Sequence, residues 1–545
     1  MEEILKSHRS RVASRGDPVA LDDRTWDDLV LDDVFQRIDH TESTLGRHAL
    51  YHRLRMTHST ESLHAFESLV TRLSTDASSR ERAQLALGRL RDVHGYDLWW
   101  LARPDAVTVP GWYVAFPILT LAAVALFAGV IVRHDLLPAL IAVLVLSFAL
   151  NIAALKQVGV VSTAFRQIAP LVATGQALRF LEGEDIEPLV APLRRETGSL
   201  LQLKTISRWV SGDPLMLSVQ SNLAATILSD FLSVVYDYAN VVLPLNSAGV
   251  YLGIARLRTD GAKLLDMECA IGDVDAALSV ASLRAGQARW TRPVFSTTGS
   301  PVVMTDAVHP LVADAVPNSV ELAPGTGMLV TGSNMSGKST LLRTVGVTAV
   351  MAQSLHTCFA SACTAPRLVV RSCIGRADDL LAGKSYYLVE VEALLGLVRA
   401  STGSTPHLFL LDEMFRGTNA VERIAAAQSV LIELIHAGRP NVVIAATHDN
   451  ELVDLLSGSY APFHFGDALT DDSLTFDYRL RSGRATSRNA IALLRLNGAP
   501  PALVERALAS ATELDRQRAG GRQRSSFGGS GSTGGTELTE DERTL

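Results

Sequence analysis

Cysteine is scarce: Cys269, Cys358, Cys363 and Cys373 are the whole complement in 545 residues, with no C-x-x-C pair and no Cys/His ligand grid. That argues against a disulfide framework or a zinc site and fits a reducing compartment. Positive charge is not in excess either. Lys+Arg 50 against Asp+Glu 57 leaves a net charge of -7, so any nucleic-acid contact has to be local rather than a basic coat. The N-terminus, MEEILKSHRSRVASRGDP, carries no apolar core, so no cleavable secretory signal is expected. What the chain has in quantity is apolar surface: 47% hydrophobic residues at 20% charged, with a mean hydropathy of +0.19. Its length allows roughly three or four domains, so the question is where the apolar excess sits.

It sits in two neighbouring runs, Trp112 to Val132 and Leu136 to Leu155, neither with an Asp, Glu, Lys or Arg. A helix needs roughly 20 apolar residues to cross a hydrocarbon core, and Arg133-His134-Asp135 is the only break. The pattern predicts a membrane hairpin over 112–155 that returns the chain to its starting side. Trp112 and Tyr113 lie at the interface, and Arg103 and Lys156 flank the outer ends. The alternative is a pair of helices buried in a large helical domain.

Elsewhere the texture changes three times. Residues 1–20 read as a tail, 21–108 and 157–290 as helical, and 291–500 as short β-rich runs alternating with helices, the pattern of a parallel α/β sheet. A helical run covers 501–518, and 519–545 is too rich in Gly, Ser and Thr to build a core, so a disordered tail is expected. Arg516, Arg518, Arg522 and Arg524 make its root the most arginine-dense stretch, a solubilising feature or a weak attraction for phosphate or anionic lipid.

The chemistry concentrates in the α/β part. Gly332-Ser333-Asn334-Met335-Ser336-Gly337-Lys338-Ser339 matches G-x-x-x-x-G-K-[ST], between the apolar strand Met328 to Val330 and a helical run from Lys338 to Met351. Loop and helix N-H groups can there point at phosphate oxygens, with Lys338 on the β/γ-phosphates and Ser339 on Mg²⁺. A second strand, Leu408 to Leu411, ends in Asp412-Glu413, a metal-binding carboxylate and a base for the attacking water. The bland alternative is a solvated acidic pair. A third strand, Asn441 to Ala446, delivers Thr447-His448, where the imidazole can touch the γ-phosphate or the lytic water, or serve only structure.

These motifs resemble a family. TGSNMSGKSTLLRTVG is similar to TGPNMGGKSTYLR, the usual Walker A of the MutS mismatch-repair ATPases; LLDEMFRGTN resembles LLDEIGRGTS, and ATHDNEL resembles ATHYHEL. GRADDLLAGKSYYLVEV resembles the segment that carries the family's signature serine. IDHTESTLGRHALYHRLR is similar to the start of its helical core, DAVHPLV and VPNSVEL to the entry of its ATPase domain, and GRATSRNAIALLRLNGAP to its closing dimerisation segment. The resemblance covers about residues 21–518.

It implies an α/β P-loop ATPase domain of MutS/ABC-like type, preceded by a mainly α-helical core and lever domain into which the transmembrane hairpin is set. It implies ATP and Mg²⁺ as cofactors, an ATP site from Gly332 to Thr340, and a homodimer in which Ser385 reaches the other subunit's γ-phosphate; the alternative for Ser385 is a plain helix N-cap. It also implies DNA as a partner, in a mismatch-repair-like process.

The departures are specific. The core-like sequence begins near residue 21, and no residue here is assigned as the family's mismatch-reading wedge. Ala315 stands where the family's FVPND segment places an aromatic under the adenine, Phe415 replaces a glycine, and Ser336 a loop glycine. The hairpin resembles a bacterial branch of MutS-related proteins with membrane segments. The expected place is the cell inner membrane with the ATPase domain in the cytoplasm. The expected role is an ATPase coupled to DNA repair, or a membrane-tethered switch acting on a protein or envelope partner without DNA.

Overall fold

The computed structural model describes residues 1–15, 21–91, 95–101, 109–211, 243–333, 335–374, 386–402, 405–436, 440–469, 474–484 and 498–526, with 234, 236, 238–240, 491 and 494–495. Asn334 and Ser385 lie outside the described residues, as does Arg103.

The first half is helical. Glu2–Arg15 (α1), Asp23–Asp28 (α2), Leu31–Ile38 (α3), Thr44–Arg55 (α4), Thr60–Thr75 (α5), Ala77–Leu87 (α6) and Gly95–Leu101 (α7) come first, and α3 to α7 pack around one 41-residue helix, Leu245–Ala285. Between them come Ala115–Val132 (α8), Leu137–Arg166 (α9), Ile168–Ala177 (α10), Glu187–Ser199 (α11) and Leu201–Ser211 (α12), so the long helix is α13. Small residues set its approach to α4. A Cβ on Gly272 would meet Ala49 Cβ at 2.7 Å. One on Gly46 would overlap Asp275, whose carboxylate accepts from the Ser43 hydroxyl and the Glu42 and Ser43 amides at the start of α4.

Residues 1–15, expected as part of a tail, are instead α1, with Ile4, Ser7, His8 and Arg11 buried. Three of those four are polar, and Arg11 makes an ion pair with Glu268 of α13 at 3.2 Å, so hydrophobic periodicity has nothing to register.

The two apolar runs form α8 and α9, and α9 continues without a break to Arg166, past the apolar stretch that ends at Leu155. They are not the buried core pair of the alternative reading. Gly111–Val132 and His134–Ala154 each have a mean hydropathy of 2.5 with 11% of the window buried. Their backbones are satisfied internally, and the feet of both helices rest on α13.

The second half holds two sheets. Val294–Phe295 (β1), Val302–Ala307 (β2), Asn318–Leu322 (β3) and Ala362–Ala365 (β5) form one of order β1-β5-β2-β3. Gly327–Thr331 (β4), Val369–Cys373 (β6), His407–Asp412 (β7), Val442–Ala446 (β8), Tyr460–Leu469 (β9) and Leu474–Ser482 (β10) form the other, of order β10-β9-β4-β8-β7-β6. It is parallel from β9 to β6, with β10 antiparallel at one edge. Lys338–Leu355 (α14), Tyr386–Ser401 (α15), Ala420–His436 (α16) and Asn450–Leu455 (α17) belong to this half, and Pro501–Ser526 (α18) is the last described helix. The last helix runs to Ser526 rather than stopping at Arg518. Ala519, Gln523 and the arginines are good helix formers, and a Gly in a helix costs only about 1 kcal/mol relative to Ala, too little to end it at Gly520 or Gly521.

The halves are fastened along α14. Near its start, Arg343 Nε donates to Asp28 O at 2.9 Å, and Leu29 lies where a Cβ on Gly346 would fall. Near its end, Arg53 Nε donates to Ser354 O at 2.9 Å. Just beyond, Glu67 of α5 gathers Arg284 of α13, Arg292 and His356. Burial opposes ionisation of Glu67, but these bonds more than offset it and hold its carboxyl well below the usual range.

Candidate nucleotide site

Three strand ends build the site. In the register of the large sheet Val330 of β4 pairs with Ala446 of β8, and Ala446 pairs with Asp412 of β7. The ladder continues past them, with Thr447 N donating to Val330 O at 3.0 Å and Glu413 N to Ala446 O at 2.9 Å. All three chains therefore leave the sheet at one edge, the carboxyl edge where parallel α/β sheets place ligands. Because β8 lies between β4 and β7, its His448 falls between the P-loop lysine and the acidic pair.

The loop after β4 turns sharply, with φ of +145° at Gly332, +72° at Met335 and +110° at Gly337, before α14 begins at Lys338. Gly337 is needed there, since positive φ is costly for a residue with a Cβ. Lys338 is buried, and its Nζ donates to Gly332 O at 2.9 Å and Ser333 O at 2.8 Å, folding the ammonium back over the loop. Burial lowers its pKa to about 8, partly offset by Asp412. Ser333 and Ser336 have buried hydroxyl oxygens with no partner, and Thr340 follows on the first turn of α14. A loop with unspent donors at the N-terminus of an 18-residue helix is a cradle for phosphate.

Ser339 Oγ donates to Asp412 Oδ2, while Asp412 Oδ1 is buried without a partner. Burial raises the Asp412 carboxyl above its ordinary range, against the Ser339 bond and the Lys338 charge. A hydroxyl and an under-used carboxylate side by side are the oxygen donors that Mg²⁺ takes, so Ser339 and Asp412 fit that ion.

Glu413 sits next door in left-handed backbone, φ +49°, a strained conformation of the kind found at functional sites. Its Oε1 lies 2.6 Å from His448 Nε2, and its Oε2 pairs with Arg416. Burial, then the charge on Lys338, lowers the pKa of His448, whose Nε2 faces the Glu413 carboxylate. Lys338 Nζ is 3.4 Å from the same nitrogen. Lys338, Ser339, Asp412, Glu413 and His448 are thus brought together as the motifs implied.

Residues 328–515 match the family model described as MutS domain V. The chain carries a domain of the MutS family. It is 34% identical over 249 residues to DNA mismatch repair protein MutS 2 of Halobacterium salinarum, covering 44% of this chain and 28% of that protein. It is 33% identical over 275 residues to DNA mismatch repair protein MutS of Streptococcus equi subsp. equi, covering 48% and 32%. Against the MutS of Roseiflexus sp. it is 34% identical over 313 residues, covering 52% and 28%. The matched stretch spans about three-tenths of the length of these relatives.

Within this MutS-type domain the structure gives Phe415 a place and adds residues that the motifs do not mark. Phe415, at the position of a family glycine, has φ +59° and is buried, and its amide donates to Glu390 Oε1 of α15 at 2.7 Å. Arg423 of α16 makes a two-point pair with Asp449 at 2.7 and 2.9 Å, steadying the turn after His448. Tyr478 stands in a bulge of β10 with φ +53° and its ring half exposed, and Tyr478 Cδ1 lies 3.5 Å from where a Cβ on Gly337 would be. The segment with Ala315 contributes indirectly: Asn318 Nδ2 donates to Tyr478 O at 2.9 Å, and Asn318 Oδ1 accepts from Leu480 N at 2.7 Å. Asn318 thus pins the bulge that presents an aromatic ring beside the P-loop. No motif marks Tyr478; only the pairing of β9 with β10 carries it there.

Proposed function

We propose that this chain binds ATP with Mg²⁺ and hydrolyses it. The carrying observation is the row of strand ends that sets Lys338, Ser339, Asp412, Glu413 and His448 around one phosphate cradle. Gly332 to Thr340 hold the phosphates and Lys338 moves from the loop carbonyls onto the β/γ oxygens. Ser339 and Asp412 hold Mg²⁺, which when bound neutralises phosphate charge. Glu413 accepts the proton of the attacking water, and His448 orients that carboxylate. Tyr478 supplies the stacking face for adenine that Ala315 does not. The sites are composite: a homodimer paired through the ATPase domains and α18 brings Ser385 to the partner's γ-phosphate. Ser385→Ala in one subunit of a mixed dimer should silence the partner's site alone; equal loss at both sites, or none, defeats the composite arrangement.

The names of the relatives, DNA mismatch repair proteins, support coupling of this cycle to DNA binding in mismatch-repair-like DNA repair. The bare apolar faces of α8 and α9 support a hairpin that spans the cell inner membrane and holds the ATPase domain in the cytoplasm. They also favour a second reading, a membrane-tethered ATP-driven switch on a protein or envelope partner. Gel shifts with homoduplex, mismatched and branched DNA, with and without ATP at low salt, separate the two. ATP-modulated, salt-sensitive binding supports the DNA role, and no shift with any structure removes it.

A further inference from the structure

The exposed Trp and Tyr rings of the helical half share one level. Among its described residues they are Trp112, Trp209 and Tyr238, open over 41%, 48% and 74% of their surface. Trp112 belongs to the short turn Gly111–Val114 at the foot of α8. Because α8 and α9 run antiparallel from the turn at His134–Leu136, that foot lies beside the end of the apolar window of α9, where Asn151 sits.

Tyr238 and Trp209 are tied to the same place by bonds and packing. Asn151 Nδ2 donates to Asn240 O at 3.2 Å, two residues beyond Tyr238, and Asn151 Oδ1 accepts from Ser247 Oγ of α13 at 2.8 Å. Val210 of α12 has its Cγ2 2.8 Å from where a Cβ on Gly249 would be, and Gly249 is two residues along α13 from Ser247, about 3 Å of rise. Tyr236 Oη lies within hydrogen-bond reach of Asn246 Oδ1, at 2.8 Å, and of Trp209 O. Trp112, Trp209 and Tyr238 thus cluster where the hairpin leaves the helical half, and Arg208 stands next to Trp209 in the last turn of α12. Trp and Tyr have an apolar body and a polar tip, and the boundary between headgroups and acyl chains suits both ends.

We propose that the end of α12 and the residues around Tyr238 form a second membrane-contact surface. It lays the helical half on the headgroup region of the bilayer, with Trp209 and Tyr238 as interfacial anchors and Arg208 facing anionic headgroups. This surface depends on the reading of α8 and α9 as a membrane hairpin, because continuity with the hairpin selects lipid rather than a protein as its occupant. The chain then holds the bilayer by a face instead of a stalk. The hairpin sets depth, and the anchors set the tilt of α13, whose far end reaches the ATPase half where Arg284 donates to His356 O just beyond α14.

The test is tryptophan emission from the full chain in vesicles of phosphatidylcholine and phosphatidylglycerol, with and without lipids brominated on the upper acyl chain. Trp26 and Trp99 are buried and Trp100 and Trp290 half-buried, which leaves Trp112 and Trp209 as the rings open to lipid. Trp112→Phe and Trp209→Phe should each remove roughly half of the quenchable emission, and Tyr238→Trp added to Trp209→Phe should restore it. Quenching that falls in Trp112→Phe but is unchanged in Trp209→Phe overturns the second surface and leaves the hairpin standing; quenching that neither substitution changes overturns both. A Trp209 contribution that follows the protein-to-lipid ratio and not the bromine makes a second copy of the chain the occupant and overturns the lipid assignment. If Trp209→Phe fails to fold, Tyr238→Trp in the otherwise unsubstituted chain carries the test, with a gain of quenchable emission expected and no gain overturning the proposal.

Discussion

Two parts of this chain are similarly apolar and meet opposite surroundings. Leu408, Phe409, Leu410 and Leu411 of β7 are 0% exposed, covered by strands on either side and helices on both faces, whereas Leu121, Phe127 and Ile131 of α8 leave 71%, 65% and 72% of their surface open. The difference lies in backbone hydrogen bonding. A strand satisfies its amides only through neighbours, so an apolar strand arrives already enclosed, and its end can be aimed at a site with sub-ångström regularity. A helix satisfies its own, so an apolar helical hairpin can stand clear of the protein and offer its side chains to lipid. One half of the molecule encloses its apolar sequence to position Asp412 and Glu413; the other leaves it bare.

The comparison can be broken in order of expected effect. Lys338→Ala removes a charged partner from the β/γ-phosphates, and ATP affinity by equilibrium dialysis should drop about a hundredfold or more; unchanged affinity would mean the sheet edge is not the nucleotide site. Leu410→Ala should cost about 2–5 kcal/mol in urea unfolding of the ATPase half, while Leu121→Ala should stay within about 0.5 kcal/mol. Leu121→Arg, in contrast, should weaken membrane retention after a carbonate wash, since an arginine at mid-bilayer costs about 3 kcal/mol. Retention unaffected by Leu121→Arg argues against the hairpin as an anchor.

Smaller effects sharpen the site. Tyr478→Ala should lower ATP affinity about tenfold by removing a stacking face, with Tyr478→Phe neutral; an equal loss in both would point to the hydroxyl instead. The lysine gives a pH signature. With the Lys338 pKa lowered to about 8 by burial, the empty site loses its cation as pH rises through 8, whereas bound phosphate keeps the proton. ATP affinity should therefore fall about tenfold between pH 7 and pH 9, and Lys338→Arg should flatten that slope.

Much of the site was legible in the sequence because its parts are local. The P-loop, the strand ending at Asp412 and the strand before His448 each carry their signal within about ten residues. What was not legible depends on strand order. Nothing in the three motifs says that β8 enters between β4 and β7, yet that insertion is what sets His448 within 2.6 Å of Glu413 and 3.4 Å of Lys338. Tyr478 is hidden for the same reason, reaching the P-loop across β9 from a bulge pinned by Asn318, 160 residues earlier. Helix α1 leaves little signal in the sequence because its buried face is mostly polar and is held by Glu268, a partner that no local pattern can name. The apolar hairpin was legible at once; its exposure was not, because composition alone cannot distinguish a helix that faces lipid from one that faces a core.

The central claim is that Glu413 at the end of β7 is the base for ATP hydrolysis. Steady-state ATP turnover by Glu413→Gln, measured beside ATP binding by the same protein, tests it directly. Turnover should fall at least about a hundredfold while binding stays within about threefold; hydrolysis that continues at the unsubstituted rate with ATP bound would contradict it.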